Sequence, residues 1–243
     1  MKQNIVKYFF EFLIVFLGVY ISFNVQQQTD ENKEKEEIYK SITTLRQEIQ
    51  SNLTYCREHL VQLENMEIVN TKILSNFETF KKSDLIEWHN STPFGHSYLN
   101  NGELRYWTDE SDYENLYFWM ITWWNTFSQN EVYFNSLVSS GLLLYIDNNE
   151  LREEIESIYQ TKKKRVLVNE GLLKDVSDKI FMWQEKQRDK YRESVSREHV
   201  MTYNRNSELF NLLEDRKFRI ELRIMSLKNY IEALEMVSRK LQS

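Results

Sequence analysis

The sequence predicts an all-α protein in which an N-terminal transmembrane helix continues into an elongated up-and-down helical bundle, with one short hairpin near residues 97–107. Three observations lead to this prediction. The 243 residues include only one proline and five glycines, too few for the turns of a β-sandwich. Apolar residues recur at three- and four-residue spacings over long stretches, which is typical of amphipathic helices. One strongly apolar segment lies near the N-terminus, whereas a charged fraction of 28% excludes a polytopic membrane protein.

Charge and cysteine content exclude two further classes. The formal net charge of −6 argues against a general nucleic-acid binder, which needs a net basic face. The single cysteine, Cys56, excludes an intrachain disulfide framework and a cysteine-rich zinc site. We therefore expect no nucleic-acid partner and no cofactor.

Residues 8–25 are predicted to form a membrane anchor, preceded by an N-terminal tail of residues 1–7. The segment has 18 residues, the lower limit for a spanning helix, and Glu11 is its only charge. No small-residue cleavage site follows it, so we predict an uncleaved, single-pass signal anchor. The alternative is a buried helix of a soluble core, which the absence of a polar stripe between Phe12 and Phe23 disfavours.

Three residues of the predicted anchor are candidate contacts within the membrane. Gly18 and Ser22 form a small-xxx-small pair, which allows two helices to approach closely and favours self-association. Glu11 either pairs with Lys7 near the interface or faces a partner subunit, since a lone carboxylate is costly in lipid. Basic residues are nearly equal in number on the two sides of the segment. The short N-terminal tail favours a cytoplasmic N-terminus, with the larger domain outside the cytoplasm.

The remaining residues, 26–243, are predicted to form one soluble domain of long helices. The first helix continues from the anchor to near Lys82, because residues 26–82 contain neither glycine nor proline. The segment 83–112, which holds the only proline, is predicted to be irregular. Another helix, over 130–139, should end at Gly141 in a left-handed conformation.

Two more helices complete the predicted bundle. Asp147 and Glu150 have the spacing of a capping box and should begin a long helix that extends past residue 180. The last helix follows a polar interval at 189–208, and its apolar residues repeat near a 3.5-residue period, as in a coiled coil. The apolar positions read from that period are Phe218, Ile220, Ile224, Leu227, Ile231, Leu234, Val237 and Leu241.

An aromatic-rich run and a basic run each allow two interpretations. The aromatic residues between Tyr113 and Phe127 are helically spaced, which predicts core packing; the alternative is an interaction surface built from Trp119, Trp123 and Trp124. The basic run of residues 162–165 is predicted to be a solvated helix face, with binding of anionic lipid or another polyanion as the alternative.

The sequence carries no recognisable catalytic motif. It lacks a nucleophile elbow, a phosphate loop, a dinucleotide fingerprint, an EF-hand and zinc-ligand spacing. A metal-dependent enzyme would have to use Glu87, His89 and His96, which lie close in sequence but without fixed helical spacing. We therefore predict a protein that is not an enzyme.

Three segments resemble a set of uncharacterised single-pass membrane proteins of Bacteroidetes. They are EFLIVFLGVYISFNVQQQTDENKEKEE, VYFNSLVSSGLLLYIDNNELREEIESIY and FRIELRIMSLKNYIEALE. The matching positions are Glu11, Gly18, Gln26, Gln27, Gln28, Asn32, Ser140, Gly141, Leu144, Ile146, Asn149, Leu151, Arg152 and Tyr159. The tryptophan that those proteins carry after the span is absent, and Gln28-Thr29-Asp30 stands there. The resemblance implies a membrane-anchored helical domain with no catalytic residues to carry over.

Together these observations predict a non-enzymatic, membrane-anchored helical domain that binds a partner, senses a signal or scaffolds an assembly in the bacterial envelope. Its expected partners are the lipid bilayer and either another protein or a second copy of the chain. The expected location is the inner membrane, with the soluble domain outside the cytoplasm. The alternative is an accessory subunit of a membrane complex that docks through its transmembrane helix.

Overall fold

A computed structural model describes the backbone of residues 2–94, 98–100, 103–105, 120–146 and 148–242. Side chains are described in the same ranges, except in residues 2–11, 31 and 34 and in the two short strands. The described residues form seven α-helices and one two-stranded hairpin. The prediction of a helical protein is therefore confirmed.

The helices follow one another along the chain with few extended connections. They are α1 Lys2–Ser75, α2 Lys82–Ser91, α3 Val132–Ser140, α4 Asn149–Ser157, α5 Lys163–Arg188, α6 Arg197–Tyr203 and α7 Ser207–Lys240. A 3-10 turn, Leu142–Tyr145, follows α3, and a π-helical turn, Ile158–Lys162, joins α4 to α5. Strands β1 Tyr98–Asn100 and β2 Glu103–Arg105 pair antiparallel, within the region predicted to form a hairpin.

The chain divides into two compact units. One comprises Met1–Gln47 and Val132–Asp147, and the other comprises Glu48–Glu131 and Asn148–Ser243. In the first unit, Leu45, Phe134, Leu137, Leu143 and Ile146 are buried. The second unit contains most of the core.

The predicted membrane anchor lies within α1, which runs through residues 8–25 without interruption. Among the residues whose side chains are described, which begin at Phe12, no helix carries a segment long and apolar enough to cross a membrane. Residues 8–11 of the predicted anchor lie outside those residues. The anchor therefore stays a prediction.

Three long helical stretches build the second unit: α1 from Glu48 onward, α4 with α5, and α7. Helix α7 runs antiparallel to α1, because Arg57 pairs with Glu235 and the Asn70 side-chain amide donates to the Leu213 carbonyl. A residue late in this part of α1 thus contacts a residue early in α7, and a residue early in this part of α1 contacts a residue late in α7.

Helix α7 is also antiparallel to α4 and α5. Its C-terminal Lys240 pairs with Glu150 near the start of α4, while Lys186 near the end of α5 pairs with Glu208 at the start of α7. Since α1 and α4–α5 both oppose α7, they run parallel to each other. The predicted strict alternation of direction is therefore not found, because a long crossover separates these two stretches, as in bundles with unequal connections.

The buried residues of α7 repeat at alternating four- and three-residue spacings, as the sequence predicts. They include Leu209, Leu213, Arg216, Ile220, Arg223, Leu227, Tyr230, Leu234 and Val237. Of the predicted apolar positions, Ile220, Leu227, Ile231, Leu234 and Val237 are buried, whereas Phe218 is 54% exposed. Arg216, Arg223 and Tyr230 take core positions seven residues apart.

The first helix ends at Ser75 and not near Lys82 as predicted. Phe77 and Phe80 follow the helix and are buried. The Arg205 guanidinium donates to the Phe77 carbonyl at 2.7 Å and to the Phe80 carbonyl at 2.5 Å, and lies 3.6 Å from the Phe80 ring centre. These contacts satisfy two backbone carbonyls of the segment that follows the helix.

Parts of two segments predicted to lack helix are helical. Residues 83–91, within the segment predicted to be irregular, belong to α2, where the Asp84 carboxylate accepts from the Lys81 backbone N–H at 2.8 Å. In the polar interval 189–208, α6 begins with the Ser196 hydroxyl accepting from the His199 N–H. Short side chains at both starts satisfy free backbone donors.

The two helix boundaries predicted around residues 141–150 have different outcomes. Gly141 has φ 76° directly after α3, so its predicted left-handed conformation is confirmed. The cap of α4 is Asn148, whose side chain accepts from the Leu151 N–H at 3.1 Å. The predicted cap, Asp147, lies outside the described residues.

Candidate functional site

A non-helical segment, residues 123–131, which we call the strap, lies where the sequence predicts the end of an aromatic helix. Only residues 120–122 of the described part are helical, and Asn125 has φ 55°. The predicted aromatic helix is therefore wrong for residues 123–127, and the next helix begins at Val132 and not at residue 130 as predicted. Aromatic spacing alone cannot reveal this, because the strap is fixed by residues far away in the sequence.

Helix α7 holds the strap through its three polar core residues. The Arg216 guanidinium donates to the Trp123 carbonyl, and Arg223 donates to the carbonyls of Trp124 and Asn125. The Tyr230 hydroxyl donates to the side-chain carbonyl of Gln129. Both arginines and Tyr230 are at most 1% exposed, so these are core interactions.

The lengths of the two elements match. From residue 216 to residue 230, an α-helix rises roughly 21 Å at about 1.5 Å per residue. From residue 123 to residue 129, an extended chain covers roughly 20 Å at about 3.3 Å per residue. Polar residues at every seventh position of α7 can therefore reach successive points along the strap.

Helix α1 holds the other side of the strap. The Asn52 side chain donates to the Asn130 carbonyl at 2.8 Å and accepts from the Asn130 N–H at 3.0 Å. The Tyr55 hydroxyl accepts from the Ser128 N–H at 2.8 Å. The Asn52 and Tyr55 side chains thus make hydrogen bonds to the strap in place of the backbone hydrogen bonds that a helix would supply.

His59 meets Arg223 at the centre of this network. An Arg223 N–H donates to His59 Nε2 at 3.1 Å, and the nearest carboxylate oxygen, on Glu170, lies 4.0 Å from the guanidinium. Burial and the positive charge of Arg223 lower the pKa of His59 to about 3. His59 is therefore neutral at pH 7 and serves as a hydrogen-bond acceptor, so the network has a structural role.

The three tryptophans of the predicted interaction surface have different positions. Trp119 lies outside the described residues. Trp123 and Trp124 are half-buried, and the Lys174 ammonium lies 5.4 Å from the Trp124 ring centre. Their backbone carbonyls bind the buried arginines, an anchoring role for which the aromatic pattern gives no signal.

The three predicted membrane contacts lie on α1. Glu11 is outside the described side chains. Ser22 is exposed, and a Cβ added at Gly18 would meet nothing within 4 Å. The small-residue face therefore remains open in the single chain.

The helix surface around Gly18 and Ser22 is apolar on all sides. The exposed large side chains are Phe12, Leu13, Ile14, Val15, Phe16, Leu17, Val19, Tyr20, Ile21, Phe23 and Val25, with exposed fractions from 36% to 67%. Consecutive helical residues point about 100° apart, so this run covers every face of the helix. A second set of exposed apolar residues in the same unit is Val132, Tyr133, Val138, Leu144 and Tyr145.

A groove of about 790 Å³ lies in the second unit between the π-helical turn with the start of α5 and the facing part of α7. Its lining includes the cations Lys162, Lys164 and Arg165, the amides Gln160, Asn169 and Asn229, the hydroxyl residues Thr161, Ser226 and Tyr230, and the apolar Val168 and Met225. No aspartate or glutamate lines it. We call it the basic groove.

The π-helical turn fixes how the basic run is oriented. It buries two consecutive residues, Ile158 and Tyr159, and the Tyr159 hydroxyl donates to the buried Glu48 carboxylate at 2.8 Å. Lys163 forms an ion pair with Glu131 at the end of the strap. In the run predicted to be a solvated face, Lys164 and Arg165 are exposed and line the groove with the half-buried Lys162, whereas Lys163 is paired.

The candidate metal residues do not form a site in the described structure. His89 is buried and its Nε2 lies 2.8 Å from the Phe94 carbonyl, whereas Glu87 is exposed on the same helix. His96 lies outside the described residues. Among the described residues, no group of three His, Cys, Asp or Glu side chains could hold a metal ion.

Comparisons with known proteins give no relative for this chain. No protein-family model matches it, and neither does any of the curated proteins or solved structures compared with it. The function is therefore inferred from the apolar surface of residues 12–25, the exposed apolar residues of α3 and the following 3-10 turn, and the basic groove.

Proposed function

We propose that this protein is a non-enzymatic helical binding module anchored in the bacterial inner membrane by the first part of α1. The observation that carries the proposal is the apolar surface of residues 12–25, which covers all sides of the helix and is exposed in the chain. Such a surface is unfavourable in water and requires a cover of lipid or protein.

The length of the helix is compatible with a lipid cover only if the anchor begins before Phe12. Residues 12–25 span roughly 21 Å at about 1.5 Å per residue, less than a hydrocarbon core of about 30 Å. Starting at Tyr8 extends the segment to roughly 27 Å, which a slightly thinned bilayer accommodates. The anchor of the proposal is therefore residues 8–25.

The domain beyond the anchor serves as the binding part of the proposal. The exposed apolar residues of α3 and the following 3-10 turn support contact with a protein partner, since large exposed side chains on one element favour an interface. The same segment carries the resemblance to single-pass proteins of Bacteroidetes. With the N-terminus in the cytoplasm, the domain would meet sensing or scaffolding partners of the cell envelope.

Alkaline extraction of native membranes tests the anchor. We expect the full chain to stay in the pellet. Replacing Val15 and Val19 with lysine should release it, since a lysine at the centre of a span costs about 2.5–3.5 kcal/mol. The matched control replaces Val61 and Met182, which are exposed elsewhere, with lysine and should leave the chain in the pellet. Release of the wild-type chain would contradict the proposal.

The open face at Gly18 supports a second candidate, an accessory subunit of a membrane complex. Small residues on an uncovered face allow a neighbouring helix to approach within packing distance. Oxidative crosslinking of Ser22→Cys in native membranes distinguishes the two. An adduct with a different protein would favour the accessory subunit, and a dimer of the chain would favour self-association. The absence of any adduct would contradict docking through this face.

A further inference from the structure

We infer that the basic groove binds an organic anion that combines a phosphate group with an apolar portion. The inference rests on the proposed binding role but not on membrane anchoring. The shared chemistry is found in an anionic phospholipid and in a soluble organic phosphate. The argument comes from the charges, the neutral lining and the volume of the groove.

The cations of the groove have no internal counterion. Among the described residues, Lys162, Lys164 and Arg165 form no ion pair, although Lys163 between them does. The chain has a net charge of −6, and several neighbouring lysines on α5 and α7 pair with carboxylates. The groove thus brings three unpaired cations together with no lining carboxylate, which favours an anion.

The arrangement of these cations on two helical turns brings them together. Lys162 and Arg165 are three residues apart, so they lie on the same face of the helix, and Lys164 lines the groove beside them. Arginine offers a planar pair of donors that fits phosphate oxygens, and lysine adds a compact charge. These residues fit a tetrahedral phosphate better than a neutral ligand.

The neutral lining supplies further donors and an apolar wall. Asn169 of α5 and Asn229 of α7 both line the groove, and neither side chain makes a hydrogen bond within the described structure. Val168 and Met225 are 53% and 56% exposed and provide apolar surface beside the cations. A ligand that has only a phosphate would leave this surface uncovered.

The volume sets the size of the ligand. A groove of about 790 Å³ lies within the range of roughly 300–1,000 Å³ that small-molecule sites occupy. It is too large for an inorganic phosphate alone and accommodates a lipid headgroup with the first part of its chains. The ligand class is therefore an amphipathic phosphate.

Native mass spectrometry of the full chain in a non-ionic detergent tests the inference. The probes are dihexanoyl phosphatidylglycerol, dihexanoyl phosphatidylcholine and phenyl phosphate, which supply an anionic lipid, a zwitterionic lipid and a soluble organic phosphate with an apolar group. The groove variant is Lys164→Gln with Arg165→Gln. The control variant is Lys179→Gln with Lys186→Gln, which removes the same charge from exposed positions of the same helix outside the groove.

We expect one of the two anions to bind at least tenfold more tightly than phosphatidylcholine. The groove variant should weaken that binding about tenfold or more, and the control variant should not change it. Preference for phosphatidylglycerol identifies a lipid source, and preference for phenyl phosphate identifies a soluble source. Equal binding of phosphatidylcholine, or equal behaviour of the two variants, would overturn the inference. Binding is measured on purified protein, so its failure leaves the extraction result for the anchor unaffected.

Discussion

Replacing Arg223 with methionine removes the guanidinium but keeps an unbranched side chain in the core of α7. In the wild-type protein that guanidinium donates to the carbonyls of Trp124 and Asn125 and to His59 Nε2. All three acceptors lose a partner in the variant, and the nearby Glu170 carboxylate loses its closest positive charge.

The structure gives the size of the expected effect. A buried polar group left unpaired costs about 1–3 kcal/mol, and breaking a buried charged pair by removing one member costs about 3–5 kcal/mol. The variant no longer has to bury a charge, and this gain offsets part of the summed cost of the lost partners. We expect Arg223→Met to lower the free energy of unfolding by about 3–5 kcal/mol, which corresponds to roughly 10 °C in the melting temperature of a chain of this length.

Thermal unfolding of the full chain, followed by circular dichroism in detergent, measures this change. The matched control is Arg239→Met on the same helix, where the exposed side chain donates only to the Glu235 carbonyl and the expected change is below about 0.5 kcal/mol. Hydrogen exchange should also accelerate more at the Ser128 and Asn130 amides than in α7. A loss below about 1 kcal/mol, or equal losses in both variants, would refute the role assigned to Arg223.

Three further predictions concern single residues. The pKa of His59 falls from 6.5 to about 3 on folding, so the unfolded chain binds more protons than the folded chain between these pH values. The free energy of unfolding should therefore decrease by about 1.4 kcal/mol for each pH unit of acidification well below pH 6.5. Urea unfolding at pH 7 and pH 5 measures this decrease, which should be smaller in His59→Gln. Gly141→Ala should destabilise the protein by about 1 kcal/mol because φ is 76° at this position, although there is open space around the new Cβ. Gly171→Ala, inside α5, should stabilise the protein by about as much. The two variants should therefore shift the melting temperature in opposite directions, and shifts of equal sign would contradict this prediction. Burial raises the pKa of the Cys56 thiol to about 12, so a thiol reagent should label it only as fast as the chain unfolds; rapid labelling at neutral pH would contradict its burial.

Long helices could be predicted from the sequence because their stabilising contacts repeat locally. The 3.5-residue period of α7 and the left-handed Gly141 both follow from patterns within a few residues. The end of α1 could not be predicted in this way. It is set by Arg205, which caps the carbonyls of Phe77 and Phe80 from a segment more than 120 positions away.

The strap shows the same limit more strongly. Its aromatic spacing indicates a helix, but Arg216 and Arg223 compete successfully for its carbonyls from about 90 to 100 positions further along the chain. One signal was present in the sequence: polar residues 216, 223 and 230 interrupt the apolar repeat of α7 at every seventh position. Buried polar residues in such a register require buried partners, and here the strap provides them.

The basic groove could be predicted only in part. Consecutive cations at 162–165 suggest a charged face, yet the sequence does not reveal that Lys163 pairs with Glu131 while its neighbours line a groove. That division depends on the π-helical turn before α5, and no glycine or proline marks it. An extra residue in a helical turn shifts the phase of every side chain that follows.

The most direct test of the proposed membrane anchoring is the environment of residue 15 in reconstituted liposomes. A nitroxide attached at Val15→Cys reports collision rates with oxygen, which concentrates in lipid, and with a water-soluble nickel complex. A label at Val61→Cys is the matched control, because Val61 is also exposed on α1 and lies outside the proposed anchor, while the native Cys56 is buried. We predict that the label at 15 favours oxygen and the label at 61 favours nickel. Preference for nickel at both positions would contradict the proposal.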